Sequence, residues 1–410
     1  MTLSVVLMVG VSSCTKHKKV LGAHTTGWKQ KELIITYSVS APPTNETVKT
    51  ANDEAFNLIP NAQETLDAAA KQGIKIMLEH GRLTPNIADD PAKLQELANV
   101  IEQVKNHPAL EAYYLFDEPK AVDIPKVAKL VSFIRERDPK HFSFVNLLPV
   151  SGVPGYAVPI EPGVDPSKTY MKFVKNYIET VKPDLLSYDL YAFQKNSTGE
   201  VGDIGGYFAN LSLIRDAARS ARIPFINIIQ ACAFDNTFRV PNANEMRWQV
   251  YTTLAYGGRG ISYFLYWGNN KIGGVYQDGK PTPILAPIVE LNKEMRAMSP
   301  VLMTLDSEQV FNSGNATNVE SAIPKSSPVQ ISTAGKYVLG LFSQEGKINH
   351  FMLVNANSRD DWNAKLKVEC SALEEFDRTK STWTAVSSTD VNTFELDFKP
   401  GDGRLFRFRQ

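Results

Sequence analysis

Three cysteines in 410 residues (Cys14, Cys232 and Cys370) are too few for a disulfide framework to hold this fold. Charge of one sign is missing too: 44 basic side chains offset 44 acidic ones. No basic stripe is interleaved with aromatics, which excludes an electrostatic footprint for nucleic acid. Beyond the first residues no apolar run reaches the length of a membrane-crossing helix. No glycine-rich phosphate loop follows the first strand, which argues against an open, doubly wound nucleotide-binding sheet. What remains is ample length for one large domain and a smaller one, each with its own core.

The first 300 residues alternate short apolar strands with helical patterns. Strands are expected at Glu32–Val39, Phe56–Pro60, Ile74–Leu78, Glu111–Phe116, Phe142–Asn146, Leu185–Tyr191, Phe225–Gln230 and Ile261–Trp267. Between them apolar residues recur at helical spacing, as in Leu94, Leu97, Val100, Ile101 and Val104, with Asp90-Pro91 as N-cap and first helical residue. A long Pro- and Gly-rich loop runs from Leu147 to Ser167. Eight strand–helix units over about 275 residues fit a closed parallel (β/α)8 barrel of the TIM type. From residue 300 onward the pattern changes to period two with turn residues between segments, as in Phe394–Phe398 and Arg404–Phe408. The expected organisation is an α/β barrel over 27–299 followed by an all-β sandwich over 300–410.

In such barrels the reactive groups sit at the carboxyl ends of the strands. Those ends supply Glu79 and His80, Asp117 and Glu118, Asn146, Asp189 and Tyr191, Gln230, and Trp267. Carboxylates and amides pair with hydroxyls, and aromatic faces stack on the apolar side of a pyranose, so the set suits a carbohydrate. Phosphate chemistry would need Lys or Arg here. A hydrolytic metal site would need more than Glu79 with His80. No metal and no cofactor is expected. The stretch Asp117-Glu118-Pro119 has two readings: a site acid on a loop edge, or a helix entry in which Asp117 caps, Pro119 opens the first turn and Glu118 is merely solvated.

With these residues in view, the chain resembles the clan A glycoside hydrolases, and it is similar to lipoprotein-linked members from gut-type Gram-negative bacteria. The resemblance implies that Glu118, in the Asn-Glu-Pro-like setting at the end of strand four, is the general acid/base. It implies that Asp117 replaces the Asn that touches the sugar 2-hydroxyl, and that Trp267 is a subsite platform. The clan's nucleophile is a Glu ending strand seven, where this chain has Gln230. Three alternatives stay open for the second group. Asp189, the preferred second carboxylate, can be a base activating water, which predicts inversion if the carboxyls lie about 6.5–9.5 Å apart. Glu79 can serve instead, tuned by His80. Or the site binds carbohydrate without turnover.

Residues Leu3–Val11 form a short apolar segment before Val11-Ser12-Ser13-Cys14, which resembles a bacterial lipoprotein signal, though no Lys or Arg precedes it and Val11 replaces the usual Leu. The expectation is a signal peptide over 1–14, acylation of Cys14, a polar tether over 15–26, and a cell-envelope location in which only a lipid anchor touches the membrane.

Overall fold

The computed structural model describes residues 27–195, 206–234, 237–269, 272–314 and 322–409. Cys14, the leader 1–14 and the tether 15–26 lie outside the described residues. Eight parallel strands form the barrel wall: β1 (Ile34–Tyr37), β2 (Leu58–Asn61), β3 (Lys75–Leu78), β4 (Leu110–Asp117), β5 (Phe142–Leu147), β6 (Leu186–Asp189), β7 (Phe225–Gln230) and β8 (Gly260–Phe264). Neighbours pair in sequence order and β8 returns to β1. The remaining seam, between β1 and β2, is bridged by Asn57. Its backbone N–H donates to Ile35 O (3.2 Å), its Oδ1 accepts from Ile35 N (2.8 Å) and its Nδ2 donates to Leu33 O (2.7 Å). A side-chain amide here replaces ladder bonds that would otherwise be missing from a buried edge.

Eight helices cover the wall: α1 (Asn45–Asp53), α2 (Leu66–Gln72), α3 (Pro91–Val104), α4 (Ile124–Arg137), α5 (Pro166–Val181), α6 (Tyr207–Ala221), α7 (Ala243–Ala255) and α8 (Leu285–Leu302). Asp90 caps α3 as its sequence implies, accepting from Ala92 N and Lys93 N at 3.1 Å. Inside the barrel Ile34, Leu58, Met77, Ala112, Phe144, Ile226 and Ile228 form one layered core, closed at the amino end by Trp28. Trp28 packs at a tilt against Phe142 (4.4 Å between ring centroids) and donates Nε1 to Glu111 (2.7 Å).

After β8 the chain makes a small sheet of β9 (Trp267–Gly268), β10 (Tyr276–Gln277) and β11 (Lys280–Pro281). The C-terminal strands follow: β12 (Asp306–Asn312), β13 (Val329–Ile331), β14 (Tyr337–Gln344), β15 (Lys347–Asn355), β16 (Trp362–Val368), β17 (Ala372–Asp377), β18 (Thr382–Ala385), β19 (Thr393–Phe398) and β20 (Gly403–Arg409). They form an antiparallel six-stranded sheet, β12-β14-β15-β20-β17-β18, and a three-stranded one, β13-β16-β19. Leu339, Leu341, Phe351 and Leu353 of the first pack against Leu366, Phe394 and Leu396 of the second. That is a sandwich.

The six-stranded sheet is buried on its other face as well, where Val338, Phe342, Met352 and Val354 join the core that surrounds the barrel. Helix α7 is therefore packed on both sides and has no polar stripe. Trp248 donates Nε1 to Ala356 O (3.0 Å), and a methyl group at Gly340 would collide with the Ala255 carbonyl. The sandwich and the barrel thus meet without a solvent layer along α7.

Candidate active site

Strand β4 carries a bulge at Leu115, between the pairs Tyr114–Phe144 and Phe116–Val145. Bulges re-aim the residues that follow. Beyond it Asp117 pairs with Asn146, and Glu118 donates its backbone N–H to Asn146 O (3.0 Å). Glu118 then turns into the left-handed region, with φ = +50°. For a residue with a β-carbon this costs on the order of 1–3 kcal/mol and persists only where the surroundings impose it. Helix α4 begins only at Ile124, after Asp123. Asp117-Glu118-Pro119 is therefore not a helix entry, and Glu118 is held on the loop edge that faces the barrel mouth.

Asn146 is 1 % exposed. It donates Nδ2 to Asp117 (3.1 Å) and accepts from Ser187 Oγ (3.0 Å), so it orients Asp117 from beneath and its amide is spent doing so. On β6, Asp189 neighbours Glu118 and Tyr191 closely enough that the three groups couple electrostatically. Glu79, ending β3, is bonded by the Ser40 hydroxyl. It lines an open cleft of about 490 Å³ together with His80, Tyr114 and Asp117. The Tyr114 phenol is raised first by burial and then by the charges of Asp117, Glu79, Asp189 and Glu118.

All four carboxyls are pushed above their ordinary range, and burial is the leading cause for each. Asp117 keeps solvent contact, yet it sits low in a concave mouth where surrounding protein still strips its hydration. Glu118 is raised further by the charge of Asp117 and lowered by its bond with Asp189. Asp189 is raised far more, by burial first and then by Glu118 and Asp117. Two carboxyls in contact cannot both ionise cheaply. The shared proton rests on Asp189, the more deeply buried partner at 5 % exposure, and half-exposed Glu118 is the end that a ligand can reach.

This geometry alters several expectations. Gln230 is 0 % exposed and does not face a sugar. Its Nε2 donates to Phe193 O (3.1 Å), Cys232 O (3.3 Å) and Arg239 O (2.7 Å), and its Oε1 accepts from Phe193 N (2.8 Å). It ties the loop after β6 to the loop after β7. Trp267 is not the end of the eighth barrel strand. That strand stops at Phe264, Tyr266 packs back on Tyr37 (4.0 Å), and Trp267 stacks on Tyr276 in the small sheet (5.5 Å). His80 is exposed, and its Nδ1 accepts from Arg82 N (3.1 Å) rather than from Glu79.

The aromatic wall comes from elsewhere. Tyr191 packs on Phe264 (4.9 Å) and on Phe234 (5.1 Å), and Phe234 stacks on Phe238 (4.2 Å). Phe234 and Phe238 are half-buried in the loop after β7, where strand-end reasoning does not reach. Cys232 lies close to Tyr191, and burial pushes its thiol up to about 12, which makes it inert packing.

Two larger clefts, of about 860 and 500 Å³, open at the other end of the barrel around Trp28. The arginines of the first serve the connection to the sandwich: Arg259 donates to Leu302 O and Leu305 O, and Arg215 donates to Glu308 O. Size alone would point there. Chemistry points to the carboxyl ends of the strands.

The chain matches no protein-family model and no curated protein. Solved structures do resemble it. One described as a glycoside hydrolase aligns with a TM-score of 0.58 at 10% identity, covering 93% of each chain. A family 5 glycoside hydrolase from Bacteroides vulgatus aligns at 0.55 and 12% identity, covering 93% of this chain and 87% of that one. A family 39 glycoside hydrolase from the gut symbiont Bacteroides cellulosilyticus aligns at 0.52 and 11% identity, over 92% and 81%. At these identities the likeness establishes the fold: a (β/α)8-like barrel resembling those of clan A glycoside hydrolases, carrying a β-rich C-terminal domain.

Proposed function

We propose that this protein is a glycoside hydrolase whose proton donor is Glu118. The observation that carries the reading is the setting of Glu118. It is held at φ = +50° beyond a bulge, half-exposed at the mouth, in contact with a buried carboxyl that stores a proton. A donor to a leaving oxygen must be protonated near neutral pH yet reach the substrate. Asp189 supplies the first property and Glu118 the second. The one proton of the pair, held on Asp189 at rest, passes to Glu118 as Glu118 delivers it to the glycosidic oxygen, which leaves both carboxyls ionised until water returns a proton. Asp189 is thus a positioning and proton-storing group, and its burial argues against the water-activating role expected of it. The open cleft that Glu79 shares with Asp117 makes Glu79 the stronger candidate for the second carboxyl that faces the sugar.

A second reading, carbohydrate binding without turnover, is favoured by one observation. The strand-seven position is a buried brace, so no carboxyl stands where a retaining pair would need its nucleophile. Hydrolysis of a panel of plant and host oligosaccharides by the wild type and by Glu118→Gln separates the two. Turnover that disappears in the variant supports the enzyme, and NMR of the first-formed anomer gives its stereochemistry. Glycan binding without turnover on any substrate supports the binding protein. We further infer, from the sequence of the first 26 residues alone, a lipid anchor on Cys14 and residence in the cell envelope.

A further inference from the structure

The mouth has two unlike sides. Glu79 and Asp117 stand at the ends of β3 and β4, and in a closed ring of eight strands β7 and β8 lie across from them. That far side is aromatic. Phe264 ends β8 and packs on the inner core of the barrel. Tyr191 lies 4.9 Å from it, Phe234 lies 5.1 Å from Tyr191, and Phe238 stacks on Phe234 at 4.2 Å and 19°. Each of the four rings keeps partial exposure. A contiguous apolar surface left open to water beside polar groups marks a place for a ligand. The loop that carries two of these rings is also tied down. Phe238 pairs with Gln194 in an antiparallel bridge, flanked by bonds from Arg239 N to Phe193 O (3.0 Å) and from Lys195 N to Thr237 O (2.7 Å). Gln230 braces this bridge from the end of β7, through Phe193 O and Arg239 O. Rings ordered before a ligand arrives spare it part of the cost of binding.

We propose that Phe234 and Phe238 are sugar-binding residues: a pyranose lays an uninterrupted C–H face on this pair of rings and turns its hydroxyls to the carboxyls of the opposite side. The inference rests on the carbohydrate reading above and deepens it. Trp267, the platform that the resemblance implies, has one ring face against Tyr276 in the small sheet (5.5 Å). The loop after β7 supplies the apolar face instead. A phenyl ring has no polar handle, so it takes a face of C–H groups. An axial hydroxyl on that face would lose its water with nothing on the ring to replace it. The ligand class is therefore a pyranoside with no axial hydroxyl on the stacked face. Gln230 is then a positioning residue, acting through the loop that carries the two rings.

The test uses the full chain and five β-1,4-linked tetrasaccharides, of glucose, xylose, mannose, galactose and N-acetylglucosamine. Calorimetric titration picks the tightest binder, which is then studied by saturation-transfer NMR with irradiation of the aromatic protons. In the wild type, the C–H protons of one face of one sugar ring should take up most of the saturation. Phe234→Leu and Phe238→Leu keep apolar bulk but remove the ring, and each should bind about tenfold more weakly and lose that one-sided pattern. Phe238→Tyr keeps the ring and should keep both affinity and pattern. If a leucine variant fails to fold, the wild-type pattern and Phe238→Tyr still decide the matter. Saturation spread evenly over both faces, or unchanged affinity in folded leucine variants, overturns the inference and leaves the carbohydrate reading standing. No binding and no cleavage of any of the five overturns this inference together with the carbohydrate reading beneath it.

Discussion

Gln230→Glu is the substitution that a comparison with clan A enzymes invites, since it restores a carboxylate at the end of strand seven. The structure predicts that it damages the fold and yields no nucleophile. Three carbonyl oxygens, of Phe193, Cys232 and Arg239, receive the Nε2 protons of Gln230, and among the described residues only that of Phe193 has a second donor, Arg239 N at 3.0 Å. An ionised glutamate there would keep the Phe193 N–H on one oxygen but turn the other, an acceptor, toward three carbonyl acceptors in place of the Nε2 donor. Breaking a buried polar arrangement of this kind costs roughly 3–5 kcal/mol. Protonation softens the loss, because a neutral carboxyl can still donate one bond. The native pKa of the introduced carboxyl would therefore rise above the unfolded value of about 4.3, so the native state binds more protons than the unfolded chain above that pH. The destabilisation is smallest near pH 4 and grows as pH rises through the raised native pKa. Calorimetric melting of wild type and variant at pH 4, 6 and 8 measures it. Equal stability at pH 8, above all with gained turnover, would refute the placement of Gln230 as a brace.

Three further outcomes follow from named residues. Asp189→Asn should be more stable than wild type at neutral pH, on the order of 1–3 kcal/mol, because the native pKa of Asp189 lies above its unfolded value of about 3.9. That gain should vanish in melts as pH falls below about 3.9, where both states hold the proton, and any glycoside hydrolysis should be slower in the variant. Asn57→Ala should cost about 2–4 kcal/mol in urea melts, since Ile35 N and Leu33 O lose their partners at the barrel seam; a change under about 0.5 kcal/mol would mean that the seam closes without it. Cys14→Ser should abolish incorporation of labelled fatty acid in cells, and unchanged labelling would remove the anchor.

Much of the fold was legible because each element obeys one period. The barrel strands are short apolar runs between helices of clear spacing, and Asp90-Pro91 marked α3 in sequence as it does in structure. The end of strand eight was not legible. From Tyr263 to Trp267 the residues are uniformly large and apolar, so nothing marks the departure from the sheet at Phe264. At the site, reading strand ends proposes Glu118 and the groups around it. It could not tell a side chain that faces the mouth from one that turns to neighbouring carbonyls, which separates Glu118 from Gln230. The mouth aromatics Phe234 and Phe238 come from a loop, where no period exists to place them. The contact of Glu118 with Asp189 is likewise a property of the closed barrel, since 71 residues of sequence separate the two.

The most direct test of Glu118 as proton donor is the dependence of hydrolysis on the leaving group. Aryl glycosides of one accepted sugar, spanning strongly basic to weakly basic phenols, are cleaved by wild type and by Glu118→Gln. If Glu118 protonates the departing oxygen, the variant loses about 10²–10⁴-fold on the poor leaving groups and little on those that need no proton. An equal loss across the series, or none, would contradict the assignment.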